Sequence, residues 1–440
     1  MRAHTRRHAA ALAVAVTALL ASTAPATARP APQLLPALGA DFHWGVAASG
    51  FQSEGHAPDS NWRRYAATHP DYDPYGDSVD FYDRYSSDIA LAKGLGVDTY
   101  RISVEWARVQ PQPGVWDEAG FAFYDKVIAA VRSAGMRPMI TLDHWVYPGW
   151  EADRGGWGNP DMVEDWLANM RAVVDRYAGA DPVWVTINEP FAYIMNEVRN
   201  GGLPATEALT MQARLAQAHN SIYDHIHARQ PAAMVTSNLA YVPAADPLVD
   251  GGMLDAIAAK LDFVGIDYYY GLSPDTAAQY SAFAASQLWK LPLQADGLYY
   301  ALRHFARLFP GKPLYIVENG MPTENGAPRA DGYTRADDLR DTIYWLQRAK
   351  ADGIGVIGYN YWSLTDNYEW GSYTPRFGLY TVDVQTDPSL TRKPTDAVDA
   401  YRAITHDAGV PGGYLPTRPP ASCSLVDALD SCADPVTLPG

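Results

Sequence analysis

Two segments of the chain end in the same way: Thr186-Ile187-Asn188-Glu189-Pro190 and Leu314-Tyr315-Ile316-Val317-Glu318-Asn319-Gly320. Each is a β-rich apolar run that stops abruptly at a glutamate beside an asparagine. A carboxyl placed there sits at the mouth of a sheet, not in its core. Two carboxyls brought to one mouth can divide the work of cleaving a glycosidic bond. One protonates the leaving oxygen, and the other attacks or activates water. Solvated strand ends give the same local pattern, and the chain carries 50 acidic residues. The elements that would hold the pair decide between the readings.

Those elements alternate regularly. Apolar runs with strand character cover Phe42–Ala47, Thr99–Ile102, Pro138–Leu142, Val183–Ile187, Val235–Leu239, Phe263–Ile266, Leu314–Val317 and Val356–Tyr361. Stretches of helical period lie between them at Ser78–Leu95, Ala119–Ala134, Met162–Tyr177, Glu207–Arg229, Leu293–Leu308 and Arg335–Asp352. Short buried strands, each leading into a helix, predict an α/β fold of the (β/α)8 TIM-barrel type. A doubly wound open sheet would place a glycine-rich phosphate loop after the first strand, and Gly45, Gly50 and Gly55 lack that spacing. The expected organisation is a signal peptide over residues 1–28, a Pro-rich leader over 29–40, one barrel domain over 41–405 and a Gly/Pro-rich tail over 406–440.

Composition narrows the function classes. A net charge of −16 argues against nucleic acid or an anionic membrane surface as partner. The 13 Trp and 28 Tyr suit core packing and also the stacking of sugars. Arg2, Arg6 and Arg7, an Ala/Leu/Val run over 9–21 and the small-x-small triplet Ala26-Thr27-Ala28 read as an export signal cleaved near Ala28. The mature protein is then expected outside the cell, with no membrane contact. The two cysteines, Cys423 and Cys432, are close in sequence and are expected to form one disulfide in the tail.

On a barrel, working groups sit at the C-terminal strand ends. Glu189 and Glu318 fall at the fourth and seventh ends. The first strand leads to Gln52 and Glu54, the second carries Arg101, and the third ends at His144-Trp145. The sixth supplies Asp267, Tyr268 and Tyr269; the eighth supplies Trp362 and then Asp366, Asn367, Glu369 and Trp370. Taken singly, such residues are most simply structural. Together they are the donors, acceptors and aromatic walls that a sugar pocket needs.

The chain resembles glycoside hydrolase family 1, the β-glucosidase and β-galactosidase family. The resemblance runs from about Phe42 to Tyr401 and rests on an ordered series of motifs. These are Phe42–Gly55, Tyr100–Arg108, Thr141–Trp145, Gly155–Trp157, Thr186–Pro190, Ile316–Gly320, Gly358–Ser363, Asp366–Trp370 and Arg376–Gly378. The resemblance implies Glu189 as general acid/base and Glu318 as nucleophile of a retaining double displacement. It implies Arg101, Asn188, Asp267 and Tyr269 as supporting groups, with Asn188 on the sugar 2-hydroxyl. Gln52, His144, Trp145, Trp362, Glu369 and Trp370 are implied as substrate-binding residues. It also implies a small-molecule or oligosaccharide β-glycoside as partner, a non-phosphorylated glycone because Glu369 is a carboxyl, and no metal or organic cofactor. Transglycosylation on the same scaffold is the alternative. A silent sugar-binding relative would typically lack one of the two glutamates.

Three departures stand out. Asp267 occupies a position where the family usually has Asn. His144-Trp145 is followed by Val146-Tyr147-Pro148 rather than Asp-Leu-Pro. Several connections are short, notably Tyr241–Asp250 after the fifth strand. The aglycone and the oligomeric state are not legible in the sequence.

Overall fold

The computed structural model describes residues 34–241, 251–284 and 287–438. The expected export signal, residues 29–33 of the Pro-rich leader and nearly all of the Tyr241–Asp250 connection lie outside the described residues. The strands are β1 (His43–Ala47), β2 (Thr99–Ser103), β3 (Arg137–Asp143), β4 (Val183–Ile187), β5 (Val235–Thr236), β6 (Leu239–Ala240), β7 (Val264–Asp267) and β8 (Leu314–Asn319), then a short β9 (Thr323–Glu324) and β10 (Val356–Trp362). Nine of them form one sheet in the order β5-β4-β3-β2-β1-β10-β8-β7-β6. Each neighbouring pair is parallel.

The two outermost strands of that order, β5 and β6, are pieces of one extended run interrupted at Ser237-Asn238. The sheet's ends are therefore joined through the chain itself, as a closed barrel requires. The expected fifth strand, Val235–Leu239, is split for this reason. At the break, side-chain and loop bonds replace the ladder: Ser237 Oγ donates to Ile187 O at 2.8 Å, and Glu189 N donates to Asn238 O at 3.1 Å. The strands are buried on both faces, which is why they read as continuous apolar runs.

The helical stretches read from the sequence are present, at Phe81–Lys93, Glu118–Ser133, Met162–Tyr177, Ala208–Arg229, Asp296–Leu308 and Arg335–Ala351. The helices that went unread include Pro190–Asn200, Asp396–Asp407 and Asn61–Thr68. The first starts directly after Glu189, with Pro at its opening position, where no N–H is needed. Two antiparallel ladders, β9 with β11 (Pro375–Arg376) and β12 (Tyr380–Thr381) with β13 (Lys393–Pro394), belong to the loops after β8 and β10.

The C-terminal tail carries the Cys423–Cys432 disulfide. It is fastened to the barrel by polar contacts. Tyr241 Oη donates to Val426 O at 2.6 Å, Ala421 N to Asp296 Oδ2 at 3.0 Å, and Tyr414 Oη to Asp341 Oδ1 at 2.6 Å. Among the described residues, no helix is long and apolar enough to cross a membrane.

Several buried carboxyls are raised because burial outweighs the groups that would stabilise their charge. Burial pushes Asp143 up to about 7, although the Trp166 indole and Trp145 N donate to it. Burial raises Glu197 to about 7 in the same way, and raises Asp338 to about 7 with help from the Asp341 charge. A carboxyl raised on folding holds its proton better folded than unfolded. Its contribution is complete below about pH 4 and is lost as pH rises through the folded value. The melting temperature is therefore expected to fall steadily from about pH 4.5 to about pH 8. Thermal unfolding across that range checks this; a flat profile would mean these groups are ionised in the folded state.

Candidate active site

The barrel brings the two glutamates together. One carboxylate oxygen from each of Glu189, Asp267 and Glu318 lies within 4.8 Å of the others. Glu318 is a residue of β8, opposite Asp267 on β7 in the ladder register. Glu189 follows β4 and has a left-handed backbone, φ 39° and ψ 68°, which is uncommon for a residue with a side chain. Two bonds hold it there: its N–H donates to Asn238 O at 3.1 Å, and its carbonyl accepts from Tyr193 N at 2.9 Å.

One buried guanidinium organises this floor. Arg101, on β2 and fully inaccessible, donates through Nη1 to Glu318 Oε1. Its Nη2 donates to Asn188 Oδ1 at 2.6 Å, and its Nε to Thr141 Oγ1 at 2.9 Å. The planar fork thus fixes three strand ends at once. The second oxygen of Glu318 accepts from Tyr269 Oη at 2.7 Å. Glu318 is therefore ion-paired on one oxygen and hydrogen-bonded on the other.

Asn188 is gripped from both sides. Its Oδ1 also accepts from Asn238 Nδ2 at 2.7 Å, and its carbonyl accepts from the Trp145 indole at 2.8 Å. Its own Nδ2 is buried and unpartnered, as are His144 Nδ1 and Asp267 Oδ1. Buried polar atoms are seldom left so, and a ligand with several hydroxyls would satisfy them. Burial, with the Arg101 charge second, lowers His144 well below the ordinary histidine range, so its imidazole is neutral. A neutral imidazole offers a sugar hydroxyl one donor and one acceptor.

The remaining wall comes from β1 and β10 and their loops. Gln52 Nε2 donates to Glu369 Oε2 at 3.3 Å and to Asn367 Oδ1 at 3.2 Å. The Trp362 indole donates to Glu369 Oε1 at 3.0 Å. Burial pushes the Glu369 carboxyl up to about 8 against the Trp362 bond. The His144 ring lies 5.8 Å from Trp362 and 5.7 Å from Trp370, near-parallel to both. Trp145 packs at 4.5 Å against Trp370 and is itself buried, so it backs the pocket wall.

All twelve proposed site residues are thus linked by direct contacts or, for Glu189, by proximity to the carboxylate cluster. Three rim residues read from the sequence face elsewhere. Glu54 binds Arg108 Nε at 3.0 Å and Tyr124 Oη at 2.8 Å, away from the pair. Tyr268 Oη donates to Gln294 O at 2.7 Å. Asp366 accepts from Gly378 N, Thr381 Oγ1 and Val382 N, and so ties the loop after β10. Two residues that matter were missed. Thr141 anchors Arg101, and Asn238 bridges Asn188 and Asp267. The fifth strand had supplied nothing to the rim, and a lone Asn near its end was the available signal.

The carboxylate cluster has the spacing that could ligate a cation, as has a partly exposed group of His56, Asp80 and Asp83. At the first of these, the guanidinium of Arg101 already stands on Glu318.

The model of "Glycosyl hydrolase family 1" matches residues 36–238 and 231–410. β-Glucosidase A of Thermotoga maritima is 27% identical over 425 residues, covering 80% of this chain and 94% of its own length. The chloroplastic galactolipid galactosyltransferase SFR2 of Arabidopsis thaliana is 30% identical over 361 residues, covering 72% of this chain. The aligned region spans only 56% of that relative's length. Among solved structures, the β-glycosidase from Pyrococcus horikoshii superposes with a TM-score of 0.74 at 26% identity, covering 86% of this chain and 96% of that one. The chain belongs to glycosyl hydrolase family 1, as a retaining, β-glucosidase-like glycoside hydrolase built on a TIM barrel.

Proposed function

We propose that the protein is a secreted β-glucosidase acting on non-phosphorylated β-glycosides, with Glu318 as nucleophile and Glu189 as general acid/base. The observation that carries this reading is the close approach of the two carboxyls, with Arg101 and Tyr269 both bonded to Glu318. Oxygens within 4.8 Å suit the ~5–5.5 Å pairs that attack directly; an inverting pair stands ~6.5–9.5 Å apart to admit a water. Glu318 attacks the anomeric carbon while Glu189 protonates the departing oxygen. Glu189, now a carboxylate, then deprotonates the water that releases the sugar. Asn188 Nδ2 is the donor for the 2-hydroxyl, while Gln52, His144 and Glu369 grip the hydroxyls further round the ring, and Trp362 is the stacking floor.

The exclusion of phosphate takes a different form from simple repulsion. With its carboxyl raised to about 8, Glu369 is largely neutral near pH 7. Its bonded partners, Gln52 and the Trp362 indole, are neutral donors. A phosphorylated sugar would bring its charge into this buried pocket, where the groups bonded to Glu369 are neutral donors, so it is disfavoured for want of compensation. Secretion is supported by the N-terminal sequence pattern and by the disulfide in the tail.

Initial rates on aryl β-glucoside, galactoside, fucoside, mannoside and 6-phosphoglucoside test the reading. Strong turnover of the glucoside is expected, with at least about 100-fold less on the phosphorylated sugar, as befits an uncompensated buried charge. Turnover of the phosphosugar at a comparable rate would overturn the specificity; silence on every glycoside would overturn the activity. A second reading, glycosyl transfer to an acceptor other than water, is favoured by the relative named as a galactosyltransferase. Product analysis with an added acceptor alcohol separates the two.

A further inference from the structure

Three carboxyls converge on this floor, whereas the proposed chemistry uses two. Asp267 is 1% exposed and lies within 4.8 Å of both Glu189 and Glu318 through one of its oxygens. Its Oδ2 accepts from Asn238 Nδ2. Its Oδ1 is buried and has no hydrogen-bond partner. The charged and titratable groups facing it are Glu318 on β8, Glu189 after β4, Arg101 on β2 and the phenol of Tyr269 just beyond β7.

Charge accounting limits what Asp267 can be. Arg101 donates to Glu318, Asn188 and Thr141, while Asp267 Oδ2 is bonded to Asn238 and its Oδ1 accepts no bond from the guanidinium. An ionised Asp267 would put a second carboxylate beside that of Glu318 in a buried site, with its Oδ1 unpartnered and the one guanidinium already bonded to Glu318. Like charges this close and this dry do not all ionise together.

Resting on the retaining mechanism above, we propose that Asp267 works as a neutral acid, its Oδ1–H donating a hydrogen bond into the Glu189–Glu318 pair. The protonated carboxyl has the shape of the amide found in the resembling family: an O–H stands in for the N–H of Asn, and the second oxygen still accepts from Asn238. Unlike Asn, it can lose the proton. Burial first, then the charges of Glu318 and Glu189, raise Asp267 well above the ordinary range, so the donor persists at working pH. At higher pH it ionises and becomes a repelling charge. The enzyme carries a second alkaline switch beside that of its general acid.

Asp267→Asn separates the two. The variant is expected to keep the acid limb of its kcat/KM profile, because the amide and the neutral acid are both uncharged donors to Glu318. The alkaline limb is expected to move up by about 0.4 pH unit or more, because one of two protons whose loss ends activity is gone. An unchanged or lowered alkaline limb would overturn the proposal, as would an acid limb that falls, since that would mean Asp267 had been charged beside Glu318. Infrared difference spectra, wild type minus Asp267→Asn at neutral pH, give a readout independent of turnover. A protonated-carboxyl carbonyl band supports the proposal even if the enzyme cleaves no tested glycoside, and its absence overturns it. Loss of activity on chelation, restored by a divalent ion, would assign the cluster to a cation and overturn it as well.

Discussion

Glu318→Gln is expected to lower turnover of an activated aryl β-glucoside by at least about 10,000-fold, about 5.4 kcal/mol at 1.36 kcal/mol per decade. The amide keeps the shape of the side chain and removes the attacking oxygen anion. It also breaks the ion pair, since Arg101 would retain its charge in a fully buried setting without its carboxylate. Tyr269 Oη would keep an acceptor only if the amide oxygen turned towards it. With a good leaving group the first step needs little acid assistance, so this loss reports the nucleophile and not proton transfer. Steady-state rates at matched folding, checked by circular dichroism, measure it. Retention of activity within tenfold would remove Glu318 from the role, and would point to Asp267, on the opposing strand, as the next carboxyl to test.

Where a residue's role depended on the strand period and on strand ends, the sequence exposed it. The apolar runs before Glu189 and Glu318 are buried on both faces, so their first polar residue had to mark the rim. Arg101 was legible for a related reason: a charged residue in a buried strand demands a partner, and the partner is Glu318. What stayed hidden depended on three-dimensional approach. Asn238 sits at an interruption that splits one expected strand, a break set by contacts to Ile187 and Glu189 from the neighbouring strand. The helix Pro190–Asn200 follows a residue with left-handed backbone, and nothing in the local periodicity sets that turn apart. Glu54 and Asp366 looked like rim groups because they follow strands, yet both are consumed by local loop architecture. The Val146-Tyr147 departure acquires a structural account here. Tyr147 Oη donates to Glu197 at 2.6 Å, and Glu197 also accepts from Asn61 Nδ2 at 3.1 Å, so the loop after β3 is tied to the helix that begins at Pro190.

Glu189→Gln is expected to split the two chemical steps, because the same carboxyl serves each in opposite protonation states. With an acidic phenol as leaving group, attack by Glu318 proceeds nearly unaided, and a burst of phenol equal to the enzyme concentration appears. Release of the sugar then requires a base for the incoming water, which the amide cannot provide. That step should slow by about 100- to 10,000-fold, the usual worth of a positioned general base. The steady-state rate falls accordingly, and KM falls with it, because covalent intermediate accumulates. An anionic nucleophile such as azide needs no base. Its addition should restore turnover and yield the β-glycosyl azide, since displacement of Glu318 from the opposite face returns the original configuration. Glu189→Ala should respond more strongly, as it leaves room for the anion. The backbone at Glu189 is held by Asn238 O and by the helix that starts at Pro190, so neither substitution disturbs the positioning of the residue. Rapid-mixing traces that show no burst, with loss of rate in proportion to leaving-group basicity alone, would confine Glu189 to acid catalysis and require another base. Asp267, the third carboxyl in reach, would then be the group to examine.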